Sequence, residues 1–163
     1  MRINNPISVF KHKGVIFFVA LVLVLVLGMA GVVWASPDTN VSGTISTDIT
    51  WGLADSPYIV TGDVTVNTGV TLTIEPGVTV KFQPGKSLLV DGTLNANGTS
   101  GNMITFTSTL ENPSPPSLPW ETGDYWVKIQ FNASSNGSIS YAIIEYSQSG
   151  VYVSSANNIS LHD

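Results

Sequence analysis

The chain has no cysteine in its 163 residues. That excludes disulfides, a lipid-modified cysteine anchor and any thiolate metal site, so stability must come from regular stacking and burial. Positive charge is almost as scarce. Beyond residue 35 the basic residues are Lys81, Lys86 and Lys128, against all eleven acidic residues, a net charge of −8. A surface of that sign repels nucleic acid and anionic lipid, and nucleic-acid binding is excluded. Arginine is missing beyond Arg2, and His162 is the one histidine past residue 35. Without clustered acidic, histidine or cysteine ligands, no metal or other cofactor is expected.

The one long apolar run lies at the N-terminus. Arg2, Lys11 and Lys13 precede an uncharged stretch of 22 residues, 14–35, whose centre from Val15 to Leu27 is unbroken aliphatic and aromatic. A basic start, an apolar centre and small residues at Val33 and Ala35 fit a secretory signal peptide cleaved before Ser36. The same length also fits an uncleaved membrane anchor. Either way the rest of the chain is expected outside the cell, at the surface or secreted, with membrane contact only through this segment.

Past residue 57 the pattern has two periods. Apolar residues alternate locally, as in Val78-Thr79-Val80-Lys81-Phe82, which is a strand signal. Six apolar pairs also recur 24 residues apart: Val64 and Leu88, Val66 and Val90, Val70 and Leu94, Leu72 and Ala96, Val80 and Ile104, Phe82 and Phe106. A period of two inside a period of 24 predicts short strands stacked coil upon coil, an all-β parallel β-helix with about 24 residues and three strands per rung. Gly62, Gly69, Gly77, Gly85, Gly92 and Gly98 fall where corners are needed, and glycine supplies the positive φ that corners favour. Asn67, Asn95, Asn97 and Asn102 are assigned to corners for the same reason. The rung length favours right-handed coiling.

Three regions flank or interrupt this order. Residues 36–57 are polar and irregular, and are expected to cap the first coil, with Trp51 covering the bottom rung; a flexible linker is the alternative. Residues 109–124 contain Pro113, Pro115, Pro116 and Pro119. Proline cannot donate to a ladder, so this run is expected to leave the solenoid as a protruding loop. Residues 158–163 read as the opening strand of another rung, which suggests a chain that stops in mid-coil. Coils are therefore expected over 58–163, as part of a longer solenoid or with another copy covering the edge.

The segment ITWGLADSPYIVTGDVTVNTGVTLTIEPGVTVKF, the GKSLLVDGTLNANGTSGNMITFTS that follows, and the later WVKIQF and ISYAIIEYSQSGVYV resemble the secreted right-handed β-helix proteins of the pectin-lyase-like superfamily. The resemblance spans about Ile49 to Leu161. It implies the fold; for function it implies a choice among polysaccharide lyases, glycoside hydrolases, adhesins and surface proteins.

Lyases of this fold set Arg or Lys beside calcium-binding acids, and the hydrolases use clustered aspartates. Here the lysines are scattered, and Asp91, Asp124 and Glu145 sit in separate contexts, so no catalytic residues are assigned. The candidate site is the loop, with Trp120, Glu121, Asp124, Tyr125 and Trp126. Exposed aromatic rings stack on sugars while carboxylates accept hydroxyl hydrogen bonds, so a polysaccharide or cell-envelope glycan is the expected partner. Trp126 begins a strand and can instead tether the loop to the coil.

Sequons stand at Asn40, Asn97, Asn132, Asn136 and Asn158, and read as polar turn residues unless the host glycosylates exported chains. Thr65, Thr71, Thr73 and Thr79 point outward from the strands. Threonine ladders on flat solenoids can bind ice, but Lys81, Glu75 and the loop interrupt any flat array. The expected function is an exported structural and interaction module. The alternative is the non-catalytic N-terminal part of a polysaccharide lyase or glycoside hydrolase whose active site lies beyond residue 163.

Overall fold

The computed structural model describes residues 38–117 and 123–162; the leader at 1–35 lies outside them. The strands wind through five turns of a parallel solenoid of about 23 residues each. The first turn holds β1 (Thr39–Ile45) and β2 (Ile49–Trp51), and the second β3 (Tyr58–Val66) and β4 (Thr71–Ile74). In the third are β5 (Thr79–Phe82), β6 (Ser87–Val90) and β7 (Thr93–Asn97). The fourth has β8 (Ile104–Ser108), β9 (Lys128–Phe131) and β10 (Asn136–Ser140), and the fifth β11 (Ala142–Ile144), β12 (Val151–Val153) and β13 (Asn158–His162).

Every named ladder is parallel, and together they make three faces. The first face stacks the opening halves of β1 and β3 with β5, β8 and β11. The second stacks the closing halves of β1 and β3 with β6, β9 and β12. β2, β4, β7, β10 and β13 form the third. β1 and β3 each run round one corner, so three ladders meet each turn even where a turn has only two named strands.

Alternation places one side chain of every two inside. Leu72, Leu88, Leu94, Ile104, Phe82, Phe106, Ile129 and Phe131 are wholly buried, and each contributes on the order of 1.5–3 kcal/mol by leaving water. This is how a chain without disulfides holds together.

The single 24-residue period needs correction. It is the true register on the second face, where Val64 pairs with Leu88 and Val66 with Val90. On the third face Leu94 pairs with Leu72, not Val70, and Ala96 with Ile74, not Leu72, a spacing of 22. On the first face Val80 pairs with Phe106 and Phe82 with Ser108, a spacing of 26. The first and third faces each depart from 24 by two residues, and a two-residue slip leaves every side chain on its original side of the sheet. The averaged period therefore identifies the buried residues correctly while mispairing four of the six.

The corners also divide by cause. Gly69, Gly77 and Gly85 have φ near +80° (78°, 82° and 75°), the conformation for which glycine is suited. Gly92 does not; a Cβ there would lie 2.2 Å from the Asn67 carbonyl oxygen and 2.3 Å from that of Val70. Space, not dihedral freedom, demands glycine at that corner. Asn95 and Asn97 belong to strand β7, not to a corner.

Regular pairing starts earlier than the composition of 36–57 indicates. β1 and β2 already run parallel to the turn above, and Trp51, 2% exposed, stacks on Tyr58 with ring centroids 4.9 Å apart. The alternation is weak in the sequence because the lowest turn, among the described residues, pairs on one side only. Val41, Ile45 and Ile49 stay partly open there.

Candidate functional site

The proline-rich segment leaves the solenoid after β8 and returns at β9, at the corner between the first and second faces. Its exit is tied by the Thr109 N–H donating to the Phe82 carbonyl (2.9 Å). Its return is tied by Gly85 N–H to Tyr125 O (3.0 Å) and Val127 N–H to Lys86 O (2.8 Å). Between these points the two arms are joined directly. Asp124 Oδ2 accepts the Ser114 N–H at 3.0 Å, and the Asp124 N–H donates to Ser114 O at 3.2 Å. Gly123, at φ +55°, passes so near Pro116 that a Cβ would lie 2.9 Å from its nitrogen. The protrusion is thus a loop with a closed neck.

The five sequence-predicted residues separate. Trp120 and Glu121 lie outside the described residues. Asp124 is half-buried in the neck, where its carboxylate serves the loop's own backbone. Trp126 is a core residue. It is fully buried, lies flat on Phe82, and donates its indole N–H to the Glu145 carbonyl at 2.8 Å. With no exposed ring face, Trp126 tethers the loop to the coil and offers nothing for a ligand to stack on. Tyr125 alone of the described members keeps a partly exposed ring beside the loop.

Two aromatic residues missed in the sequence stand close by. Tyr146 meets Tyr125 edge-on, with centroids 6.2 Å apart and planes at 65°. Tyr152, half exposed, lies under the Lys128 ammonium, which is 5.0 Å from its ring centroid, a geometry in which cation and ring attract. Both tyrosines sit one turn above the loop's return strand: Trp126 bridges to Ser147, and Gln130 pairs with Tyr152. The usable signal was the 22-residue spacing of the last two turns, which the loop hides by lengthening the preceding one.

The carboxylates that sit in separate contexts in the sequence are engaged in hydrogen bonds within the fold. Asp91 Oδ1 accepts the Asn132 carboxamide N–H (2.7 Å), and Glu145 Oε1 accepts the Thr107 hydroxyl (2.8 Å). Among the described residues no three His, Cys, Asp or Glu converge as a metal site. Tyr58 is a perturbed acid among the described residues. Burial pushes its hydroxyl above the ordinary value, partly offset by its bond to Gly52, with Asp55 and Glu75 adding to the rise.

A stack of parallel turns with one loop escaping at a corner defines a parallel β-solenoid. Residues 43–119, from the second half of β1 into the loop, match the family model of the pectate-lyase like beta helix domain. This agrees with the resemblance carried by EPGVTVKF and its flanking strands. No curated protein and no solved structure gives a significant match to the chain.

Proposed function

We propose that the chain is an exported, right-handed β-helical module of the cell surface or the secreted fraction, which presents its corner loop to a polysaccharide or cell-envelope glycan and binds it weakly. The observation that carries this reading is the tyrosine pair at the loop's root, where Tyr125 and Tyr146 meet edge-on, with the Lys128–Tyr152 pair further along the second face. Tyrosine offers a sugar an apolar ring face and a hydroxyl together. The closed neck supports it as well, because a tied loop loses less conformational freedom on binding. Export rests on the basic and apolar leader.

A glycan array probed with the full-length protein tests the reading. Binding of at least one glycan class is expected, and Tyr125→Ala and Trp120→Ala should each weaken it several-fold. Binding unchanged in both variants defeats the loop as the contact.

The family match favours one other reading, a non-catalytic portion of a polysaccharide lyase or glycoside hydrolase with its active site beyond residue 163. Unsaturated or reducing sugar released from pectic substrates by the product of the complete gene would establish that reading over the surface module.

A further inference from the structure

The third face differs in chemistry from the other two. Its strands, β2, β4, β7, β10 and β13, contain no Asp, Glu, Lys or Arg, in a chain whose net charge beyond residue 35 is −8. Most of their outward positions form two aligned columns, flanked at the closing ends of β7, β10 and β13 by Asn97, Ser140 and His162. One runs Thr50, Thr73, Asn95, Ser138, Ser160, and the other Thr71, Thr93, Asn136, Asn158. Every position of these two columns is a hydroxyl or a carboxamide, a group that both donates and accepts. No register shift interrupts these four ladders, whereas the β1–β3 ladder shifts between Val41 and Gly43.

The interruptions anticipated from the sequence fall elsewhere. Lys81 lies on the first face, the loop leaves at the corner between the first and second faces, and Thr65 and Thr79 belong to those faces too. Glu75 follows β4 at the margin, its carboxylate accepting the Leu53 N–H at 3.3 Å. Asp48, at the lower edge, is bound to the Thr71 N–H at 2.8 Å.

The chemistry of the face narrows its partner. It has no Lys or Arg for a phosphate or an anionic lipid, no outward Tyr, Trp or Phe ring for a sugar to stack on, and no large outward apolar side chain to seed a protein interface. What complements a neutral lattice of donors and acceptors is another such lattice. Rows lie ~4.8 Å apart along the solenoid and alternate residues ~6.7 Å apart along each strand, and hexagonal ice repeats its oxygen positions on two similar spacings. We infer that the third face binds ordered water at the surface of ice, with the threonine methyls filling gaps between the hydrogen-bonding groups.

Slow freezing of a solution of the full-length protein, followed by assay of the ice fraction, tests this. The protein should be enriched several-fold in ice over an inert protein of similar size. Thr73→Tyr with Asn95→Tyr breaks the lattice and should abolish the enrichment, while Thr105→Tyr on the first face should retain it. Circular dichroism checks that the variants are folded, and Ser138→Tyr alone makes the same test should the double variant unfold. Exclusion of the wild type from ice, enrichment undiminished in the third-face variants, or retention on crystalline cellulose with none on ice would each overturn the inference.

Discussion

Trp126 lies flat against Phe82, with ring centroids 4.3 Å apart and planes 12° from parallel. The pair joins the strand that enters the loop's return to a strand of the turn below, so loop anchorage and core packing are one interaction. Trp126→Ala is expected to destabilise the protein by about 3–5 kcal/mol, the range for emptying a buried tryptophan site. Trp126→Phe keeps most of the stacking but leaves the Glu145 carbonyl without its indole donor, and should lose about 1–3 kcal/mol. Urea unfolding followed by circular dichroism measures both, and an unchanged stability in Trp126→Phe would show that the indole N–H contributes nothing.

Gly92 and Gly101 make a matched pair. A methyl at Gly92 would be driven against two backbone carbonyls, whereas a Cβ at Gly101 meets nothing within 4 Å. Gly92→Ala should therefore destabilise by about 1–3 kcal/mol or more through forced backbone movement. Gly101→Ala should be neutral, or stabilising by up to about 1 kcal/mol through a less flexible unfolded chain. Thermal melts of the two variants distinguish them directly.

The neck of the loop predicts a local effect in place of a global one. Asp124→Ala removes the acceptor for the Ser114 N–H. Limited proteolysis should cut faster within residues 109–124, while the melting temperature stays close to that of the wild type. A large drop in melting temperature would instead place the neck among the elements that hold the solenoid.

Tyr58 gives the molecule an alkaline limit. Burial raises its hydroxyl above the ordinary value of 10.0, so the folded state keeps the proton that the unfolded state surrenders first. The unfolded chain then binds fewer protons, and stability falls as pH rises. The contribution is intact below pH 10 and disappears as pH climbs through the raised value. Melting temperature measured across the alkaline range should fall more steeply for the wild type than for Tyr58→Phe. That variant should be less stable at neutral pH, because Gly52 loses both hydrogen bonds with the hydroxyl.

The core was legible in the sequence for a physical reason. Burial in a stacked strand depends on parity, and parity survives any even slip, so Val80 and Phe82 are correctly inside although their partners were misassigned. Register was not legible, because each corner sets its own length and the three faces differ. The first turn was hidden since Ile45 and Ile49, paired among the described residues only with the turn above, do not show full alternation. The candidate site was half legible. Tyr125 and the loop stand out by composition, and the start of a strand at Trp126 pointed to its tethering role. Its partner Phe82 was not legible because it lies 44 positions earlier in the chain. Tyr146 and Tyr152 come near the return strand only through pairings with the turn above.

The Ser114–Asp124 closure has an evolutionary and practical consequence. With its two arms joined at the base and its exit and return fixed to the turn below, the protrusion behaves as a cassette. Extending a flexible loop adds only about 0.6 kcal/mol for each doubling of its length. Sequences grafted between the arms should change what the solenoid displays while leaving the winding beneath them intact, so a lineage, or an engineer, can diversify this tip without redesigning its support.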